Sequence, residues 1–155
     1  MKKWIRRMLY AGVPVALLLQ LTNPAHVKPQ VVPGHDVFAA SAAPPEVVTL
    51  FHNACYDCHS SETEWPWYSY VAPVSWFVVG HINDARRALN FSEWPHDDPQ
   101  RARKKWSHVS DELESGGMPL TSYTLMHAKA RLDGPQRQQL IKWAKDEAQR
   151  LAAGK

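Results

Sequence analysis

The sequence is poor in cysteine and has no large excess of charge of one sign. Its 155 residues include two cysteines and carry a formal net charge of +3 at pH 7. Much of the positive charge lies near the N-terminus, at Lys2, Lys3, Arg6 and Arg7, so the rest of the chain is close to neutral. Nucleic-acid binding depends on a strongly basic surface, which a nearly neutral domain lacks. We therefore expect no nucleic acid as a partner.

The sequence also lacks an apolar run long enough for a complete membrane span. The run from Met8 to Leu21 suits the core of a signal peptide but is short for a span. With the basic residues before it, it predicts a signal peptide or signal anchor over residues 1–22, with its positive end in the cytoplasm. Residues 22–26 offer a poor cleavage site, and Ala40-Ser41-Ala42 lies too far downstream. The sequence therefore favours a periplasmic domain tethered to the inner membrane over a protein that is soluble after cleavage.

Residues 23–45 are rich in proline and alanine and show no helical periodicity. Prolines keep such a segment partly extended. We interpret it as a linker that holds the remaining domain, residues 46–155, away from the membrane surface.

Strand-like alternation of apolar and polar residues is absent from Pro44 onward, where apolar residues recur at helical spacing. Four helices are predicted, each with a proline in its first turn: Pro45 to Cys55, Pro73 to Asn90, Pro99 to Gly116 and Pro135 to Ala152. Proline is tolerated in the first turn, and glycine can end a helix. The sequence predicts an all-α fold, a small helical domain behind the N-terminal segment.

The strongest candidates for functional residues lie in one short motif, Cys55-Tyr56-Asp57-Cys58-His59, which contains both cysteines of the chain. In a helix, residues three and four apart share a face, so both thiols and the imidazole can face one side of a flat ligand. The thiols of Cys55 and Cys58 can add to the two vinyl groups of haem, while His59 binds the iron from the proximal side. This Cys-x-x-Cys-His spacing is the attachment motif for c-type haem. The sequence therefore predicts one covalently bound haem c.

Three other uses of a Cys-x-x-Cys pair fit less well. A thioredoxin-like redox pair needs a βαβ context, which the helical pattern does not provide. A structural zinc site needs four ligands, and no second cysteine pair or closely spaced histidine pair follows. A disulfide between Cys55 and Cys58 would be strained and would close too small a loop to stabilise the fold much. The export signal also favours haem, because bacteria attach c-type haem outside the cytoplasmic membrane.

Four separate stretches form a pattern that extends well beyond the motif. They are Cys55–Tyr68 (CYDCHSSETEWPWY), Ala72–Trp76 (APVSW), Leu89–Trp94 (LNFSEW) and Met118–Leu125 (MPLTSYTL). Together they resemble the bacterial haem-binding domain family that carries a Cys-x-x-Cys-His motif, over roughly residues 44–147. The resemblance implies a cytochrome c-like, all-helical haem domain in the periplasm, often with an N-terminal membrane segment. It implies no particular reaction, because the family is named for its haem motif.

The sixth coordination position of the iron either takes a ligand from elsewhere in the chain or stays open. Met118 is the leading candidate, since Gly116-Gly117 permit close approach of the backbone and Pro119 stiffens the loop; it could also be an ordinary core residue. His81, at the margin of an apolar helix face, is the alternative ligand. We expect Tyr123 to line the pocket, with its hydroxyl on a propionate or a backbone group. The weaker candidates are His96, His108, Met126 and His127.

Two functions from different classes remain open at this point. The first is a carrier that shuttles one electron to or from an unidentified redox partner protein, for which a His/Met-ligated haem is suited. The second is a haem enzyme or sensor with an exchangeable sixth site that acts on peroxide or a diatomic gas. A single domain without a further catalytic module favours the carrier, so we expect a non-enzymatic electron-transfer domain.

Overall fold

The computed structural model describes residues 2–39 and 41–154; Ala40, part of the alternative cleavage site, lies outside them. The helices are α1 (Lys2–Gln20), α2 (Pro45–Phe51), α3 (Asp57–His59), α4 (Val74–Ala88), α5 (Pro99–Ser115), α6 (Thr121–Met126) and α7 (Gly134–Ala152). A π-helical turn, His52–Tyr56, joins α2 to α3, and short 3₁₀ helices span Trp67–Tyr70 and Ala128–Ala130. Within the described residues there is no β-strand. The all-α prediction is confirmed.

The helix boundaries follow the local signals in the sequence closely. The Asp98 side chain accepts a hydrogen bond from the Arg101 amide (2.9 Å) and so caps α5. The same helix ends at Gly116, whose φ of 74° lies in the left-handed region that glycine tolerates. Asp133 and Gln136 form a capping box at the start of α7. The helix predicted from Pro73 ends at Ala88 instead of Asn90, because Leu89 is extended.

The core lies where α5 and α7 pack together and α2 packs on α7. Its centre is aromatic: the ring of Phe51 lies 5.8 Å from that of Phe91 and 5.7 Å from that of Trp106. Leu140 and Ala144 of α7 complete it and are fully buried. Burial of such large apolar side chains is the main stabilising contribution in a domain of this size. It also anchors the helix that leads into the Cys-x-x-Cys-His motif.

The segment predicted as a linker, residues 23–45, is free of α-helix up to Pro44 but is not a free spacer. Val37 is 3% exposed and belongs to the core. Its amide donates to the Phe91 carbonyl (2.8 Å), and the Trp94 amide donates to the His35 carbonyl (2.9 Å). The Tyr56 hydroxyl donates to Asp36 Oδ2 (2.9 Å). The prediction that this segment only holds the domain away is therefore corrected: residues 35–38 are part of the folded unit.

Helix α1 precedes this segment and leaves most of its apolar side chains exposed, including Trp4, Leu17 and Leu18. Among the described residues, no helix has both the length and the apolar character that a membrane span requires.

Candidate functional site

The two thiols lie in the continuous helical segment formed by the π-helical turn and α3. Cys55 is in the π-helical turn and Cys58 is in α3, and no disulfide joins them. Both line a cavity of about 310 Å³ together with His59. Burial raises the pKa of Cys55 to about 12 and, with the nearby Asp57 charge, raises that of Cys58 to about 11, although Arg86 opposes the second shift. The folded protein therefore presents two neutral, unpaired thiols to one cavity.

The imidazole of His59 is held by the C-terminal end of α4. Its Nδ1–H donates to the carbonyl oxygens of Ala85 (3.2 Å) and Leu89 (3.1 Å). A carbonyl oxygen only accepts, so Nδ1 carries the proton and Nε2 keeps its lone pair. Burial lowers the pKa of His59, which favours the neutral ring. A neutral histidine that donates from one nitrogen to the backbone is the usual form of a metal ligand.

A second cavity of about 390 Å³ adjoins the first. Cys58, His81, Leu120 and Tyr123 line both cavities. The remaining walls of the second cavity are mainly aromatic and aliphatic, and include Trp67, Tyr68, Val74, Phe77 and Met126. Flat apolar walls of this kind suit a large flat apolar ligand that carries a few polar groups.

Met118 lies in the wall of the same cavity as His59. Its amide donates to the Glu112 carbonyl (3.2 Å), and its carbonyl accepts from Arg137 Nη1 (2.9 Å). The loop that carries Met118 is therefore fixed to both α5 and α7.

His81 also lines the cavity of His59, but it is exposed on α4. Its Nδ1–H donates to the Phe77 carbonyl (3.0 Å) one turn earlier, so that Nε2 is the nitrogen left to face a ligand. Of the weaker candidates, His108 lines this cavity too, His127 and Met126 line the second cavity, and His96 lines neither. The structure thus brings both leading candidates, and His108 in addition, to the cavity of the motif.

Tyr123 makes a contact that the sequence did not predict. Its hydroxyl donates to Asp57 Oδ2 at 2.6 Å, inside the Cys-x-x-Cys-His motif, and not to a backbone group. The other expected partner, a haem propionate, stays a prediction. Asp57 Oδ1 accepts from the Glu64 amide (3.1 Å). The pair joins α6, which follows the Met118 loop, to the helical turn that carries the cysteines. Asp57 was missed because an acidic residue between the two cysteines carries no signal of its own in the sequence.

Arg86 is a second residue that the sequence did not single out. Its guanidinium donates to the carbonyls of Ser60 (2.7 Å) and Val27 (2.8 Å) and to Thr63 Oγ1 (2.7 Å). Thr63 Oγ1 in turn donates to the Asp57 carbonyl (2.6 Å). Within the described residues no carboxylate lies in ion-pair distance of Arg86. The side chain binds the loop after the motif to α4 and leaves a positive charge near Cys58.

These residues fit haem: two unpaired thiols, an imidazole with a free Nε2, and an apolar double cavity between them. The fold and the site define a helical haem-binding protein. The family model for the haem-binding domain matches residues 14–146, and the chain belongs to this family. The matched region begins inside α1 and includes residues 23–45, in agreement with the packing of that segment on the domain. No curated protein and no solved structure matches the chain.

Proposed function

We propose that the protein is a periplasmic c-type cytochrome domain that carries one electron at a time. The observation that supports this most directly is the state of His59. Its Nδ1–H is bonded to two backbone carbonyls, and its Nε2 is free in the wall of a cavity that holds both motif thiols. A site of this kind needs no rearrangement of the imidazole before it binds iron.

Cys55 and Cys58 hold the cofactor covalently in this proposal. Their two thiols would hold the haem through thioether bonds to its two vinyl groups. When bound, haem supplies an iron centre that takes up and releases one electron. His59 would be the proximal ligand. The apolar walls of the two cavities would exclude water from the haem ring.

Met118 serves as the distal ligand. It shares the cavity with His59, and hydrogen bonds on either side of it fix its backbone. A thioether opposite an imidazole raises the haem potential and suits electron transfer. His81, whose Nε2 is not bonded to the backbone and which lines the same cavity, is the alternative ligand.

The N-terminal helix α1 attaches the domain to the inner membrane in this proposal. Its exposed apolar side chains suit a lipid environment, and Lys3, Arg6 and Arg7 at its start suit the cytoplasmic side. The domain then lies in the periplasm, where it exchanges electrons with a redox partner protein. Cell fractionation checks this: the full-length mass belongs in the membrane fraction, and a shortened soluble form would contradict it.

Covalent attachment is tested by extracting the purified protein with acidified acetone and staining a denaturing gel for haem. We expect the stain to remain on the polypeptide, to weaken in Cys55→Ala or Cys58→Ala, and to vanish in the double variant. His59→Ala serves as the matched control, because it keeps both thiols and changes only the iron ligation. Haem that leaves the wild type with the solvent would refute the proposal.

A haem enzyme or sensor with an exchangeable sixth site is the second candidate. The observation in its favour is that His81 is exposed on α4, so that solvent and small molecules reach the rim of the cavity that holds the motif. Carbon monoxide separates the two functions. Prompt binding to the reduced wild type supports the enzyme or sensor, whereas the carrier binds it only after Met118 is replaced.

A further inference from the structure

The C-terminal end of α1 is hydrogen-bonded directly to the haem-binding domain. The Gln20 side chain pairs with the backbone of Ala72: the Ala72 amide donates to Oε1 (3.0 Å), and Nε2 donates to the Ala72 carbonyl (3.4 Å). Two residues further on, the Thr22 carbonyl accepts from Trp76 Nε1 (3.0 Å). These bonds join residues more than fifty positions apart, so they belong to the tertiary structure.

Asn23 adds two more hydrogen bonds to this contact between the end of α1 and the domain, which we call the α1 junction. Its Nδ2 donates to the Tyr70 carbonyl (3.0 Å), and its Oδ1 accepts from the buried Ser75 hydroxyl (2.5 Å). Together with the bonds of Gln20 and Thr22, these contacts leave no flexible spacer between α1 and residues 70–76. The end of α1 and this part of the domain must therefore lie at the same depth relative to any surface that α1 enters.

The residues beside this junction form an apolar surface. Residues 65–80 contain no charged side chain. The exposed large apolar side chains of residues 70–77, which we call the 70–77 surface, are Tyr70 (51% exposed), Val71 (43%), Val74 (44%), Trp76 (40%) and Phe77 (61%). Exposed large apolar side chains that are grouped within one uncharged segment are typical of an interaction site. Tryptophan and tyrosine are enriched where a protein meets the headgroup region of a membrane.

We propose that the 70–77 surface lies against the lipid headgroups of the membrane that holds α1. The inference rests on the proposed attachment of α1 to that membrane. A bilayer that takes up the apolar side chains of α1 reaches the end of this helix, and the 70–77 surface is fixed to that end through Gln20, Thr22 and Asn23. The domain then rests on the membrane, and its second cavity, walled by Val74 and Phe77, opens beside the lipid.

The experiment uses nitroxide labels on the full-length holoprotein in vesicles of phosphatidylcholine and phosphatidylglycerol. One label is attached at Val71→Cys, a position whose side chain lines neither of the two cavities. The matched control is Gln139→Cys, exposed on α7, which packs on α5 and α2. We expect the label at 71 to lose its accessibility to a water-soluble nickel chelate and to gain collisions with oxygen. The label at 139 should stay accessible to nickel.

A second variant tests the junction itself. Replacing Gln20 and Asn23 together by alanine removes their bonds to Tyr70, Ala72 and Ser75. We expect the label at 71 to regain nickel accessibility while the haem spectrum stays unchanged. An unchanged spectrum shows that the domain is still folded.

The outcomes distinguish the surface contact from the attachment of α1. If the protein stays with the vesicles but the label at 71 is as accessible as the label at 139, the surface contact is refuted and the attachment stands. If the protein does not bind vesicles at all, both are refuted. Dipolar broadening between labels at 71 would show that the 70–77 surface contacts a second copy of the chain, and it would refute the contact with lipid.

Discussion

Replacing Tyr123 by phenylalanine removes one hydroxyl from the junction between α6 and the Cys-x-x-Cys-His motif. That hydroxyl donates to Asp57 Oδ2 at 2.6 Å, a short bond to an ionised acceptor. Asp57 keeps its other bond, from the Glu64 amide, so the carboxylate does not lose all its partners. We expect a cost near the lower end for bonds to charged groups, about 1.5 kcal/mol of unfolding free energy.

The same substitution should also weaken the proposed bond between Met118 and the iron. Tyr123 lies on α6, and α6 directly follows the loop of Met118, Pro119 and Leu120. When the bond to Asp57 is lost, this loop is held less tightly against the motif. We expect the weak red charge-transfer band of sulfur bound to ferric iron to weaken, with no loss of covalent haem.

Thermal unfolding followed by far-ultraviolet circular dichroism measures the first effect, and the absorbance of the oxidised protein measures the second. For a chain of this size, about 1.5 kcal/mol corresponds to a fall in Tm of roughly 3–6 °C. Tyr68→Phe is the matched control: Tyr68 also lines the second cavity, and within the described residues its hydroxyl has no hydrogen-bond partner. If Tyr123→Phe behaves like Tyr68→Phe in both measurements, the junction does not hold the loop.

Four further outcomes are expected. Met118→Ala should abolish the red band of the oxidised protein while His81→Ala leaves it intact; the reverse result, with high-spin iron in His81→Ala, would make His81 the ligand. Arg86→Gln should lower the haem potential in a redox titration, because it removes a positive charge near Cys58 that favours the reduced state; an unchanged potential would contradict this. Trp106→Ala, at a side chain 2% exposed, should cost about 3–5 kcal/mol in denaturant unfolding, and a cost below 1 kcal/mol would contradict its place in the core. Burial and the bond to Asp57 raise the folded-state pKa of Tyr123 above 10, so its stabilisation is present below pH 10 and is lost as the pH rises beyond it; the stability difference between wild type and Tyr123→Phe should shrink in that range.

The starts of the longer helices could be predicted because their signals are local. The first turn of α5 is marked by the cap Asp98 followed by Pro99, and that of α7 by the cap Asp133 followed by Pro135 two residues later. Such signals involve neighbouring residues alone. Helix α6 could not be predicted in the same way. It has six residues and no side-chain cap, so it is too short to show a periodic pattern.

The role of residues 23–45 could not be predicted for a different reason. A proline-rich segment that packs on a domain has the same local composition as a free linker. The difference is made by partners remote in sequence, such as Phe91 for Val37 and Tyr70 for Asn23. The single apolar residue Val37 has no periodicity that would reveal its burial.

The motif identified Cys55, Cys58 and His59 as candidates, but the orientation of His59 depends on α4. That helix ends at Ala88, and the carbonyls of a last helical turn lack partners within the helix. The Leu89 carbonyl, just past this end, accepts from His59 Nδ1, and so does the Ala85 carbonyl, which also accepts from the Leu89 amide (2.8 Å). The imidazole thus gives the Leu89 carbonyl a donor, and the two carbonyls together fix the tautomer of the imidazole.

This mutual arrangement links the fold to the proposed chemistry. If His59 were exposed and mobile, binding iron would cost rotamer entropy and, below its pKa, the loss of a proton. In the folded protein, burial already favours the neutral ring and the α4 carbonyls already place the proton on Nδ1. If His59 binds iron as proposed, the end of α4 has fixed the proton and the orientation of the ring beforehand. In the proposed site, residues that hold α4 against the motif, such as Arg86, would support iron ligation without touching the iron.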